Sequence, residues 1–178
     1  MSFPQLEALL ICDASPLILL AKIDCLETLS VLAREIWIPE AVWKEAVEDV
    51  DLACHPEAQR INTQFADCVR AANPVTQQKF ETEVDPGEAA ALAIASENPG
   101  ACLLIDDRKG RQIAETNGWK VTGTLGWLIR AKEVGCIPLL RPLFLQLMED
   151  GWYIETTLVN QILHSQGEQP ICSPFANR

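Results

Sequence analysis

Two five-residue apolar runs, each ending at aspartate, constrain this chain more than any other feature. Residues 8–12 (ALLIC) stop at Asp13, and residues 101–105 (ACLLI) stop at Asp106 and Asp107. A strand without polar alternation is buried on both faces, the condition of a parallel sheet covered by helices. In such sheets the ligand site lies beyond the carboxyl ends of the strands, where strand order reverses. Both runs therefore deliver acids to the edge where chemistry is expected.

Between and after these runs the pattern alternates short strands with helices. Ser15-Pro16 reads as N-cap and first residue of a helix to Ile23, and Asp24 as the cap of a second helix to about Ala33. Residues 36–38 form a short strand that Pro39 ends, and 40–50 carry apolar residues at helical spacing with Glu45 among them. Residues 51–83 read least clearly, as one or two helices around 57–71 followed by a loop at Asn73-Pro74. Asp85-Pro86-Gly87-Glu88 opens an alanine-rich helix with Asp85 as N-cap, Pro86 at N1 and Glu88 at N3, where a carboxylate suits the helix dipole. Further helices are expected over 108–117, 125–133, 139–149 and 156–164, with a short strand at 119–121. This alternation predicts an α/β/α sandwich around a parallel sheet of about four to five short strands, one domain over 1–168 and a loose tail over 169–178.

With 178 residues and 48% hydrophobic composition, the chain can bury a real core without staples. Its seven cysteines, at 12, 25, 54, 68, 102, 136 and 172, are odd in number and contain no C-x2-C pair; they read as reduced core thiols of a cytoplasmic protein. The first apolar stretch is broken by Asp13 and Pro16, so neither a signal peptide nor a membrane span is read. The net charge of −11 has the wrong sign for a protein held to nucleic acid by its overall field. Six basic residues against one acid over 108–132 nevertheless leave a local excess of +5 able to guide a phosphate backbone.

Carboxylates converging without basic partners repel one another and need a cation or a proton. An oxygen-only set suits Mg²⁺ or Mn²⁺, which can activate water and stabilise an in-line phosphodiester displacement. Asp13, Glu45, Glu88, Asp106 and Asp107 are the candidates, and each has a plainer reading: a turn residue, a solvated helix acid, a dipole complement, or a cap on the helix after 107. Of Asp106 and Asp107, one is expected to cap and the other to face the cleft. No Ser-His-Asp order, phosphate loop or H-E-x-x-H is present, His55 and His164 stand alone, and the five tryptophans read as core or dimer contacts.

The motifs D-x-S-P-L-I (13–18), I-P-x-x-V-x-x-E (38–45), P-G-E-A-x-A (86–91), L-I-D-D-R-K-G-R (104–111) and G-T-L-G (123–126), in that order, resemble the PIN-like nuclease family. More narrowly, they resemble the prokaryotic branch related to VapC-type toxins, and Gln166-Gly167-Glu168 fits the end of that pattern. The resemblance implies a PIN-like α/β/α fold and a metal-dependent endonuclease of single-stranded RNA, one half of a toxin–antitoxin pair. It assigns Asp13, Glu88 and Asp106 or Asp107 to the metal, Glu45 to the acid set, and the Ser15 hydroxyl to water or phosphate. Arg108, Lys109 and Arg111 would grip flanking phosphates. It also implies a homodimer, to which Leu139, Leu140, Leu143, Leu145 and Leu147 could contribute, and an antitoxin protein as partner. Many relatives carry T-x-D where Ile105-Asp106-Asp107 stands here, which leaves open which aspartate coordinates. Two other readings remain: a Mg²⁺ phosphatase, which lacks its D-x-D after the first strand, and a non-catalytic PIN-fold module binding a basic protein through the acidic surface.

Overall fold

The computed structural model describes residues 7–171. The first apolar run forms β1 (Glu7–Cys12) and leads directly into α1 (Ala14–Lys22), α2 (Glu27–Leu32) and β2 (Ala33–Pro39). α3 (Glu40–Trp43) follows and widens into a π turn over Lys44–Glu48 that carries Glu45. After α4 (Pro56–Phe65), a two-residue β3 (Val69–Arg70) and α5 (Pro74–Gln78), the alanine-rich helix α6 (Pro86–Glu97) leads to β4 (Cys102–Leu104). The remaining elements are α7 (Arg108–Thr116), β5 (Lys120–Thr122), α8 (Thr124–Glu133), α9 (Arg141–Glu149) and α10 (Thr156–Ser165).

The five strands form one parallel sheet in the order β3-β2-β1-β4-β5, flanked by helices. Strand order reverses between β1 and β4, so the crevice predicted for a ligand opens where these two strands end. Asp13 sits at that point: its backbone N–H continues the ladder to Leu104 O at 3.0 Å while its side chain leaves the sheet. Leu10, Ile11, Cys12, Leu103, Leu104 and Ile105 are all fully buried or nearly so, as two-sided strands require. One face packs β1 and β4 against Ala91, Leu92 and Ala95 of α6, whose small side chains allow close approach, and against Ala114 of α7.

The chain divides into two compact units, Met1–Trp127 and Leu128–Arg178, with the boundary inside α8. All five strands lie in the first. In the second, Leu140, Phe144, Leu147, Val159 and Leu163 are fully buried, so two of the five leucines considered for a dimer are core residues, while Leu139 is exposed.

Several local expectations are corrected. Asp13, not Ser15, occupies the N-cap position of α1, which begins one residue later. Asp24 caps nothing; it adopts a left-handed turn and pairs with Arg60 at 2.7 Å. Asn73-Pro74 is a helix start rather than a loop, since Asn73 Oδ1 accepts from Val75 N and Thr76 N. Within the expected tail Ile171 is buried, its backbone N–H and C=O pairing with the Asn160 amide, and just before it Glu168 is fastened by hydrogen bonds. Residues 172–178, with Cys172, lie outside the described residues. Of the other cysteines, Cys12, Cys25 and Cys102 are buried thiols, Cys68 and Cys136 are half-buried, and Cys54 is at the surface. No helix among the described residues is long and apolar enough to cross a membrane.

Candidate active site

Asp13 is 5% exposed at the end of β1, and no ion pair among the described residues reaches it. Burial, relieved in part by the Ala14 N–H and compounded by Glu88, Asp85 and Glu45, pushes its pKa up to about 8. Glu88 lies in the first turn of α6 and is also buried. Its pKa is raised to about 7 by burial and by the facing charges of Asp85, Asp107 and Glu45. Glu45, on the rim, is raised by partial burial and by Asp85. A π turn is a common local device at functional sites, and here it is the segment that presents Glu45.

Asp85 is the member that sequence reasoning missed. It caps α6 as expected, its Oδ1 accepting from Glu88 N at 2.8 Å. The same carboxylate also enters the field of all three other acids. Gly87 lies between its oxygen and that of Glu45: a Cβ built there would stand 3.4 Å from each. The capping role was legible and concealed the second one.

The two aspartates after β4 divide their work, Asp107 capping α7 and Asp106 lining a cleft with Arg108 and Arg111. Asp107 Oδ1 accepts from Lys109 N and Gly110 N at 2.7 and 2.8 Å, capping α7, while its charge acts on Glu88. Asp106 is turned to the start of α8, where Oδ1 accepts from Thr124 N at 2.7 Å and Oδ2 from the Thr124 hydroxyl at 2.6 Å. The motif glycines are explained by the same contacts. A Cβ on Gly123 would lie 2.7 Å from Asp106 Oδ1, and one on Gly110 would lie 2.5 Å from Ile105 Cδ1.

The expected basic strip of six residues is not one surface. Lys120 pairs with Glu7 at 3.7 Å, and Lys132 is bound to Glu168 and, at 2.9 Å, to Gln166 O. Arg108, Lys109 and Arg111 enter no ion pair among the described residues. Arg108 and Arg111 line a cleft of about 400 Å³ with Asp106, Gln112 and Glu115, whereas Lys109 lies in a second cleft also bordered by Gln112. Ser15 is exposed on the first turn of α1.

The donor chemistry fits a hard divalent cation: oxygen ligands only, no basic partner among the described residues, and two carboxyl groups whose pKa values are raised to about 8 and about 7. Among the described residues no three such side chains stand close enough for a closed coordination sphere.

A family model described as a PIN domain matches residues 9–168. The chain therefore belongs to the PIN-domain family, whose members are generally nucleases that use divalent metals. No curated protein matches it in sequence.

Proposed function

We propose that this protein is a Mg²⁺- or Mn²⁺-dependent endoribonuclease of single-stranded RNA, the toxin half of a toxin–antitoxin pair acting in the cytoplasm. The observation that carries the nuclease reading is the acid cluster at the strand-order reversal, in no ion pair with a basic side chain among the described residues and anchored by a carboxyl group pushed up to about 8. The likeness of five ordered motifs to the toxin branch supports the RNA substrate, the antitoxin and the homodimer.

Asp13, Glu88 and Asp107 are the residues that would hold the metal. A divalent cation there supplies an activated water and neutralises charge developing on the phosphate oxygens. Glu45, less buried than Asp13 and with its pKa raised by partial burial and by Asp85, would take the proton of the attacking water. Asp106 positions rather than reacts, tying the β4 end to Thr124. Arg108 and Arg111 hold phosphates flanking the scissile one, and Ser15 contributes a hydroxyl beside Asp13.

The test is cleavage of a mixed single-stranded RNA pool by purified, partner-free protein with Mn²⁺ or Mg²⁺, beside EDTA and Asp13→Asn controls. Metal-dependent cutting abolished by the substitution is the expected result. Mn²⁺ binding without cutting of any RNA would favour a second reading, a binding module for a basic protein, which the charge of −11 also suits. Absence of metal binding would end the active-site proposal.

A further inference from the structure

Helix α7 separates two clefts that share Gln112. The first, beside Asp106, is polar and carries Arg108 and Arg111. The second, of about 340 Å³, has a different chemistry. Its apolar surface is made by Phe80 and Ile113, both only half-buried although they pack against the core. The Phe80 ring is held by an edge contact with Trp119, centroids 6.2 Å apart and planes at 75°.

The polar groups around this floor fall into two sets. Thr116 and Asn117 are committed, donating to Gln112 O at 2.7 Å and to Ile113 O at 2.8 Å. Glu83, Lys109 and Gln112 make no side-chain hydrogen bond or ion pair among the described residues. A carboxylate acceptor, an ammonium donor and an amide that is both thus line one cleft with an aromatic ring and an aliphatic side chain. This combination suits an unpaired nucleobase, which offers a π face and a hydrogen-bonding edge. It suits a phosphate poorly, because Glu83 would repel it.

We infer that this second cleft, with Phe80 and Ile113 as floor and Gln112 and Glu83 at its edge, binds one base of the single-stranded RNA whose backbone crosses Arg108 and Arg111. The inference rests on the nuclease reading and adds to it a subsite that makes cutting depend on a base near the scissile phosphate. Gln112 lies five residues beyond Asp107, about 7.5 Å along the helix axis, and lines both the first cleft and the second.

The experiment measures binding of fluorescent RNA hexamers A6, U6 and C6, and of a hexamer of abasic ribose phosphates, to the intact protein in EDTA, by anisotropy. Cleavage of the mixed RNA pool with Mn²⁺ is measured separately. At least one base-bearing hexamer should bind on the order of tenfold or more tightly than the abasic one, as stacking of one base allows. In Gln112→Ala and in Phe80→Leu, which keeps an apolar floor without the ring, that ratio should shrink several-fold, while binding of the abasic hexamer stays the same. Arg111→Gln should weaken all hexamers alike. Equal binding of abasic and base-bearing RNA, or a base preference untouched by both cleft variants, overturns the subsite even if the wild-type protein cuts RNA with Mn²⁺. Failure both to bind and to cut RNA overturns the subsite and the nuclease reading together.

Discussion

Asp13 and Glu168 are both deeply buried carboxylates, and the protein treats them in opposite ways. At Glu168 burial raises the pKa, but the Leu140 N–H, the Lys132 ammonium and the Arg141 N–H outweigh it, and the net shift is downward. Its oxygens close the N-terminus of α9 and fasten residue 168 to α8 through Lys132. Asp13 is helped by the Ala14 backbone N–H, while the charges acting on it are those of three acids, Glu88, Asp85 and Glu45. A buried acid whose partners lie within the fold is structural; one left without partners costs stability until something from outside supplies the charge. The contrast separates fastening acids from binding acids by environment, where residue type alone cannot.

The largest effect should therefore come from Asp13→Asn. Cleavage should fall by about 10³-fold or more, because the substitution removes a metal-holding charge that nothing else supplies. The metal-free protein should at the same time become more stable at pH 8, rising by about 2–4 °C in Tm for each kcal/mol recovered. An Asp13→Asn protein both inactive and less stable would place Asp13 in the same class as Glu168. The reverse is expected of Glu168→Ala: a loss of about 3 kcal/mol from leaving Lys132 and two backbone donors unpaired, or roughly 6–12 °C in Tm. Mn²⁺ affinity of the protein that remains folded should not change, as titration calorimetry below the lowered Tm would show.

The same comparison sharpens with pH. The folded pKa of Asp13, about 8, lies above its unfolded value near 3.8, so the folded metal-free state holds an extra proton between these limits. Glu88, at about 7 against 4.5, acts in the same direction. Folding thus favours the protonated forms, and stability should fall as pH rises from about 5 to 8. Melting curves in EDTA at pH 5.5, 7 and 8.5 should show this decline, and saturating Mn²⁺ should flatten it because the cation replaces the protons. Asp13→Asn should remove most of the slope. A slope unchanged by the substitution would assign the effect to other groups.

How much of this was legible depended on whether a residue did one thing or two. β1 and β4 were readable because five consecutive apolar residues admit little else, and the acids that end them followed. β3 was not: Val69 and Arg70 make a two-residue edge strand with no hydrophobic run, defined by pairing to Ile38 and Pro39. Asn73-Pro74 has the same cap-then-proline order as Asp85-Pro86, but no long apolar stripe follows it to mark a helix. Asp85 was assigned its cap, and that sufficient local explanation hid its charge facing Glu45 and Glu88. Glu168 matched a motif end, but its partners at 132, 140 and 141 are some thirty residues away, beyond any local pattern.

Asp106 stands between the two classes, and a smaller substitution decides which it joins. Its carboxylate is held by Thr124, a fully buried residue, through one backbone N–H and one hydroxyl. Thr124→Val keeps the shape and the backbone bond while deleting the hydroxyl donor to Oδ2. If Asp106 braces the start of α8 as Glu168 braces α9, the variant should lose about 1 kcal/mol of stability, the net worth of one hydrogen bond. Cutting should then slow by no more than several-fold, with Mn²⁺ affinity unchanged. If Asp106 is instead a ligand that Thr124 merely orients, freeing one oxygen should alter Mn²⁺ affinity by more than it alters Tm, and Gly123→Ala, whose Cβ would press on the other oxygen at 2.7 Å, should shift it further. The ratio of the two effects reads the role directly, because a brace and a ligand distribute the same loss differently between folding and metal binding.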